Sequence, residues 1–197
     1  MKSKYLSLDE LSELRAQMST REFLPLAVSL ETGMRIGDVL KIRLEDLSDS
    51  GVCYVAEKTG KIGFAEISPK LLAAMRGNAS MLTRWVFPGR NPWEHLTRQA
   101  VWSRVKKACE RAEMSSKGVS PHSMRKEFAV HKYRSEGAQS AQRALQHSRS
   151  DTTAIYIYAD WTTGANAYRP ILRKDLPMVC EKIVDAVLLA LDNRKGL

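Results

Sequence analysis

The sequence predicts an α+β fold that is mostly helical and contains one small antiparallel β-hairpin. Apolar residues recur at helical spacing over most of the 197 residues, and 44% of all residues are hydrophobic, which suffices for a buried core. Two short β-rich runs, residues 52–56 and 62–67, are separated by a five-residue segment containing glycine, which is typical of a hairpin. Strands and helices do not alternate, so a Rossmann-type domain is not expected.

Capping residues mark where the first helices begin and end. Ser7 and Glu10 have the spacing of a capping box, so a short first helix is expected to start here. A second helix is predicted from about Thr20 to Gly33, because glycine commonly ends a helix in the left-handed conformation. A third helix follows at once and carries residues 35–41.

The rest of the chain after the hairpin is predicted to be helical as well. Ser68 and Pro69 are suited to the first turn of a helix, Thr97 can cap another, and Pro121 fits the first position of the next. Helices are therefore expected over residues 68–78, 97–112, 121–137, 139–147 and 151–158.

Positive charge is in excess and is concentrated in one part of the chain. The sequence has 31 Lys and Arg against 22 Asp and Glu, a formal net charge of +9. Residues 98–134 alone hold ten basic and three acidic side chains, and Trp102 and Tyr133 lie among them. A charged helical face can simply be solvated, but two successive basic helices with aromatic residues favour a phosphate-binding surface. We therefore expect a polyanionic partner, with nucleic acid the first candidate and an anionic membrane surface the second.

Several other classes of protein are disfavoured. The three cysteines, Cys53, Cys109 and Cys180, form no close pair, which argues against a disulfide framework and for a reducing compartment. The N-terminal segment lacks the apolar core of a signal peptide, and no apolar tract is long enough to span a bilayer. The sequence has no nucleotide-binding loop, zinc-binding histidine motif or serine nucleophile elbow. No metal and no cofactor are expected.

Three short segments carry side chains suited to phosphoryl transfer. Arg35 stands at the predicted start of the third helix, directly after a glycine stop. His122 and Arg125 are three residues apart, so a helix presents both on one face. Further along, His147 precedes Tyr156 by nine residues. Each of these signals is weak alone, but their joint order and spacing is specific.

In this order, with a lysine in the hairpin between them, these residues resemble the catalytic domain of the tyrosine recombinases, the phage-integrase family. Residues 32–47 are similar to that family's first arginine box, and residues 145–156 to its histidine-to-nucleophile box. The likeness covers about residues 6–160 and implies the tyrosine recombinase catalytic-domain fold. We therefore expect a catalytic domain over residues 1–160 with no N-terminal core-binding domain, then a linker and C-terminal helix over residues 161–197.

The resemblance implies that the protein breaks and rejoins duplex DNA through a 3′-phosphotyrosyl intermediate. Tyr156 would be the nucleophile, and its covalent bond to DNA conserves the energy needed for rejoining, so neither ATP nor a metal is required. Arg35 and Arg125 would hold the non-bridging oxygens of the scissile phosphate with their fork-shaped donors. His147 would donate a further hydrogen bond to that phosphate.

Two proton-transfer roles follow from the same resemblance. His122 would act on the tyrosine proton as general base or acid. Lys58 would protonate the leaving 5′-oxygen as general acid, because its place in the run Glu57-Lys-Thr-Gly resembles the family's hairpin lysine. Lys61 lies across the same turn and could reach the same phosphate, so both lysines are kept as candidates.

Duplex DNA is the expected partner, contacted in part by basic side chains at Arg104, Lys106, Lys107 and Lys126. The family likeness also implies self-assembly into dimers or tetramers on DNA. The apolar stripe of residues 176–191 would pack either on a neighbouring protomer or on its own domain. A cytoplasmic protein encoded by a bacterium or a phage is expected, without membrane association.

Two alternative functions are kept beside recombination. A type IB topoisomerase-like relaxase would use the same chemistry without strand exchange. A catalytically silent relative would keep the fold and bind DNA, although an intact set of six candidate catalytic residues argues against a loss of activity. Phage integration, chromosome-dimer resolution and movement of a mobile genetic element are roles that the resemblance allows.

Overall fold

The computed structural model describes residues 3–145. Within that part of the chain, seven α-helices, two β-strands and one short 3₁₀ turn follow one another. In chain order they are α1 (Leu8–Ala16), α2 (Thr20–Thr32), α3 (Ile36–Leu40), the 3₁₀ turn (Leu44–Asp46), β1 (Gly51–Val55), β2 (Ile62–Glu66), α4 (Pro69–Asn78), α5 (Arg98–Arg111), α6 (His122–Glu136) and α7 (Ala138–Ala144).

Ser7, Gly33 and Thr97 act as their sequence pattern predicts, whereas Ser68 makes no side-chain cap for α4, and Pro121 precedes α6 instead of occupying its first position. At α1, the Ser7 hydroxyl accepts a hydrogen bond from the N–H of Glu10 at 3.1 Å, and the Glu10 carboxylate accepts from the N–H of Ser7 at 2.9 Å. Helix α2 ends at Gly33, which is left-handed with φ of 71°. The Thr97 hydroxyl accepts from the N–H of Ala100 at 3.1 Å and so begins α5. The predicted limits of these helices are confirmed.

Helix α2 forms the centre of the core. Residues 23–30 are all buried, as expected for a helix that has protein on every side. Helices α3, α4 and α6 pack against α2, while α5 packs against α1 and α3. The first half of α6 lies against the segment that begins α3, because Arg125 and Phe128 of α6 both contact Gly33.

Strands β1 and β2 form the predicted hairpin. Gly51 pairs with Glu66 and Val55 with Ile62 in antiparallel register. Val52 is buried, whereas Val55 and Ile62 lie on the opposite, exposed face, as the alternation of side chains along a strand requires. Together with the helices, this hairpin confirms the predicted α+β, mostly helical class.

The last described helices carry the chain towards the predicted histidine-to-nucleophile segment. Helix α6 ends before Gly137, as predicted, and α7 occupies part of the helix expected over residues 139–147. The elements predicted over residues 151–158, 161–170 and 176–191 lie outside the described residues. None of the helices within residues 3–145 combines the length and apolar character that crossing a bilayer requires.

Candidate active site

Arg35 lies in the tight turn between α2 and α3. Its backbone is extended, and it is the N-cap residue of α3. The Ser29 hydroxyl holds this turn by donating to the carbonyl of Met34 at 2.8 Å. A side chain at Gly33 would overlap the ring of Phe128 on α6, so only glycine allows the turn and α6 to approach this closely. Packing of α6 against the turn therefore sets the position of Arg35.

Arg125 on α6 joins three separate parts of the chain. The residue is 3% exposed, and its Nη1 donates to the carbonyl of Gly33 in the turn that precedes Arg35. Its Nη2 donates to the carbonyl of Leu145 at 2.8 Å, at the end of α7. A guanidinium has five N–H donors in a rigid fork, so these two bonds use part of its capacity. Arg125 therefore fixes the Arg35 turn and the start of the segment that leads to His147.

His122 lies one helical turn before Arg125 at the start of α6, where part of the residue is exposed to solvent. Desolvation by partial burial, followed by the positive charges of Arg125, Lys126 and Arg35, lowers the pKa of His122 to about 4. The imidazole is therefore neutral near pH 7, which is the form that can accept a proton. The same charges show that His122 lies within electrostatic reach of both arginines.

Tyr54 on β1 lies in the same neighbourhood. Burial raises the pKa of Tyr54 above its ordinary value. The charges of Arg125 and Arg35 act to lower this pKa, and the charge of Asp38 acts to raise it. Tyr54, on the inner face of the hairpin, is therefore within electrostatic reach of both arginines. The structure thus brings Arg35, His122 and Arg125 together, beside β1.

A buried carboxylate ties the hairpin turn to α3. Asp38 is 5% exposed, and its Oδ1 accepts from the backbone N–H of Glu57 at 3.0 Å. Lys58 follows directly and is exposed in the turn. The N–H of Ala56 closes the turn by donating to the carbonyl of Lys61 at 2.9 Å. Asp38 thereby holds the turn against the helix that Arg35 begins, while both candidate lysines are exposed.

Three of the four predicted DNA contacts have protein partners, and Arg104 and Lys106 are two of them. The Arg104 guanidinium Nε is 3.9 Å from the carboxylate of Glu22. The Lys106 ammonium donates to the carbonyl of Ser116 and, at 2.8 Å, to that of Val119. These carbonyls belong to the loop that leads into α6, so Lys106 positions the start of the helix that carries His122.

Lys126 is the third of these basic residues with protein partners. The Lys126 ammonium donates to the carbonyl of Ser3 and lies 5.1 Å from the centre of the Tyr5 ring. It therefore holds the N-terminal segment against α6, next to Arg125. Lys107 is exposed on α5. The DNA contacts predicted at these four basic residues stay predictions.

Arg98 is a further candidate residue of this site that was not predicted from the sequence. A Cβ atom built on Gly37 would lie 3.3 Å from Cδ of Arg98 and 3.5 Å from Oε2 of Glu57, so both side chains lie over the first turn of α3. Arg98 also stands in the first turn of α5, which contains no acidic residue. Because a cation is disfavoured at a helix N-terminus, this placement is the sequence signal that could have identified it.

The remaining predicted site residues, His147 and Tyr156, lie outside the described residues. The described chain ends at Leu145, whose carbonyl is held by Arg125. His147 is therefore connected by a short stretch of sequence to a residue that contacts the candidate site.

The geometry agrees with a comparison of the whole chain with known families. The model of the phage integrase family matches residues 4–162. The chain belongs to this family. The tyrosine recombinase XerC of Xanthomonas axonopodis pv. citri (strain 306) is 31% identical over 159 residues, which cover 78% of this chain and 52% of that relative. The chain thus spans about half the length of the curated relatives it matches.

Solved structures establish the fold of this phage integrase family member. The crystal structure of XerA recombinase matches with a TM-score of 0.66 and 22% identity, over 79% of this chain and 60% of that chain. A lambda integrase (residues 75–356) dimer bound to a COC′ core site matches with a TM-score of 0.65 and 19% identity, over 79% and 59% of the two chains. The predicted tyrosine recombinase catalytic-domain fold is confirmed.

Proposed function

We propose that this chain is the catalytic domain of a site-specific DNA recombinase or integrase. The observation that carries the proposal is the convergence of Arg35, His122 and Arg125 beside the turn between α2 and α3, in a chain of the phage integrase family. A phosphodiester offers two non-bridging oxygens and one negative charge. Two guanidinium groups on separate elements suit those oxygens, and a neutral imidazole beside them can accept a proton.

Cleavage begins with attack of the Tyr156 hydroxyl on the scissile phosphorus. The phenolic proton passes to the neutral His122, a phosphorus–oxygen bond forms to the tyrosine, and the bond to the 5′-oxygen breaks. Lys58 gives its proton to that leaving oxygen. Arg35 and Arg125 stabilise the extra negative charge on the non-bridging oxygens in the transition state. The products are a 3′-phosphotyrosyl bond and a free 5′-hydroxyl.

Rejoining is the same reaction in reverse. A 5′-hydroxyl from another strand attacks the phosphotyrosyl phosphorus and gives its proton to the neutral Lys58 amine. His122, now protonated, returns its proton to the departing oxygen of Tyr156. One phosphodiester is exchanged for another through a covalent bond of similar energy, so the step needs no ATP.

The proposed substrate is duplex DNA, and the proposed active form is a dimer or tetramer assembled on it. The +9 net charge supports a polyanionic substrate. The lambda integrase neighbour is a dimer bound to a core site, which supports assembly on DNA by analogy. We place the reaction in the cytoplasm, where a bacterial or phage-encoded protein meets DNA.

Covalent trapping tests the proposal. The full chain is incubated with a pool of nicked duplexes that have randomised core sequences, in which the cleaved fragment diffuses away and prevents rejoining. We expect a protein–DNA band that resists denaturation, and a peptide carrying the adduct at Tyr156 in mass spectrometry. Tyr156→Phe should abolish the band, while Tyr158→Phe, the matched control, should retain it.

The same experiment separates the alternatives. An adduct without exchange between two duplexes, combined with relaxation of supercoiled plasmid, indicates a type IB topoisomerase-like activity. Duplex binding without any adduct indicates a catalytically silent relative. An adduct on Tyr158 contradicts the assignment of the nucleophile.

A further inference from the structure

An exposed carboxylate, Glu57, lies among basic groups that come from three separate elements. The Nζ of Lys41, the C-cap residue of α3, is 3.1 Å from Oε1 of Glu57. Arg98 of α5 lies over Gly37 beside Oε2 of Glu57. His95, in the loop before α5, is close enough for its charge to act on the same carboxylate. The hydrogen bond and charge of Lys41, followed by the charges of Arg98 and His95, lower the pKa of Glu57.

The surrounding structure holds His95 in place. Its Nδ1 is 2.9 Å from the carbonyl of Leu96, so this nitrogen carries the proton and donates. Its ring and the ring of Trp85 are nearly perpendicular with centroids 5.2 Å apart, and the guanidinium of Arg43 lies 4.3 Å from the centre of the Trp85 ring. His95 is therefore part of a fixed layer of side chains and does not depend on Glu57 for its position.

We propose that Lys41 and Arg98, beside the fixed ring of His95, form a binding site for a DNA phosphate other than the scissile one, and that Glu57 competes with this phosphate. This inference rests on the proposed function, because it takes duplex DNA as the ligand. A carboxylate and a phosphate both present anionic oxygens to nitrogen donors, so the donors that hold Glu57 have the chemistry to hold a phosphate.

The energies favour exchange of one anion for the other. The side chains of Lys41 and Glu57 are 46% and 51% exposed, and an exposed ion pair contributes little stability. Breaking it therefore costs little. A duplex phosphate that replaces the carboxylate also releases condensed counterions, a gain that the internal carboxylate does not provide.

The replacement of the Glu57 carboxylate by a phosphate would take place directly beside the candidate active site. Asp38 holds the backbone N–H of Glu57, so displacement of the carboxylate moves the side chain while the turn keeps its anchor. Lys58 is the next residue. A phosphate bound by Lys41 and Arg98 therefore places the duplex directly beside the turn that carries the candidate general acid.

Replacing Glu57 by glutamine tests the competition. Binding of a labelled mixed-sequence duplex of about 30 base pairs is measured by fluorescence anisotropy between low and moderate salt. We expect Glu57→Gln to bind about two- to fivefold more tightly at low salt, the range that an exposed ion pair allows, with the difference shrinking as salt rises. Glu66→Gln is the matched control, since Glu66 is an exposed glutamate at the far end of the same hairpin.

Equal tightening by Glu66→Gln would overturn the proposal, because the effect would then be one of net charge. Unchanged or weaker binding by Glu57→Gln, with the folded state verified by circular dichroism, would overturn it as well.

Alanine variants test the donors. Lys41→Ala and Arg98→Ala should each weaken binding and reduce the salt slope by about 0.9, the value for one phosphate contact. In the double variant Lys41→Ala, Glu57→Gln, the gain from glutamine should be smaller than in the wild-type background. An unchanged salt slope for both alanine variants would contradict the phosphate site.

These outcomes are independent of the covalent adduct that tests the proposed function. A tighter Glu57→Gln complex without any adduct would support the phosphate site and reject the catalytic assignment. An adduct with no effect of Glu57→Gln would do the reverse.

Discussion

At His122, desolvation and then the neighbouring cations determine which proton step the side chain can take. The partly buried ring, near Arg125, Lys126 and Arg35, is held neutral at pH 7, so it enters the reaction as a base. A bound phosphodiester offsets part of that positive charge and raises the pKa. The protonated imidazole that forms after cleavage is therefore better tolerated with DNA present, which suits a group that must return its proton during rejoining.

The same pKa predicts how stability depends on pH. The pKa of His122 is about 4 in the folded chain against an ordinary value of 6.5, so between these values the unfolded chain binds a proton that the folded chain does not. The contribution of His122 to stability is therefore unchanged above about pH 6.5 and falls as the pH decreases towards 4. Urea unfolding at pH 7 and pH 5 should show a larger loss for wild type than for His122→Gln. An equal loss in both proteins would contradict the lowered pKa.

The choice between the two hairpin lysines is tested at the leaving group. A 5′-bridging sulfur leaves without a proton, so the general acid becomes dispensable in a phosphorothiolate substrate. We expect Lys58→Ala to slow cleavage of ordinary DNA by about 10²-fold or more and to cleave the sulfur substrate nearly as fast as wild type. Lys61→Ala is the control. Single-turnover rates measure both effects, and rescue confined to Lys61→Ala would assign the role to that lysine.

At the scale of elements, the loop between α5 and α6 is held by Lys106, a residue that the sequence predicts to contact DNA. The Lys106 ammonium is bonded to carbonyls of Ser116 and Val119, so we expect Lys106→Ala to lower the free energy of unfolding by about 1 kcal/mol or more. Lys107→Ala, the exposed neighbour, should change it by less than about 0.5 kcal/mol. Urea denaturation compares the two. If both variants unfold alike, the loop does not rely on Lys106.

Elements that depend on local sequence could be predicted, and contacts between distant elements could not. Local patterns predicted the capping box at Ser7, the helix end at Gly33 and the hairpin turn, because each depends on residues within a few positions of one another. The bond from Glu57 to Asp38 and the approach of Arg98 to α3 depend on how helices pack. The sequence contains no local signal for these contacts, apart from the unusual cation at the start of α5.

The candidate site shows the same division. The pair His122 and Arg125 could be predicted because both lie on one helix, and the resemblance supplied Arg35 from a distant segment. The hydrogen bonds that Arg125 makes to Gly33 and Leu145 were not foreseen, since they join residues 92 and 20 positions apart in sequence. This long-range bonding makes Arg125 a structural residue as well as a candidate phosphate ligand.

On the scale of the whole molecule, the residues proposed for DNA binding and those proposed for assembly occupy different parts of the sequence. The basic segment of residues 98–134 and the candidate site precede the C-terminal stripe of residues 176–191, whose apolar members include Val179, Ile183 and Val187. Removal of the C-terminal stripe should therefore impair assembly without lowering the affinity of the chain for a duplex.

Truncation after Pro170 tests that separation. We expect the shortened chain to bind a single duplex with an unchanged salt slope, because the phosphate contacts lie upstream, and to form fewer dimers or tetramers on DNA. Sedimentation velocity with and without DNA measures assembly, and anisotropy measures binding. A full-length Ile183→Asp variant, which puts a charge in the apolar stripe, should reproduce the assembly defect. If either variant unfolds, the stripe packs on its own domain, and if assembly is unchanged in both, the contacts between protomers lie elsewhere.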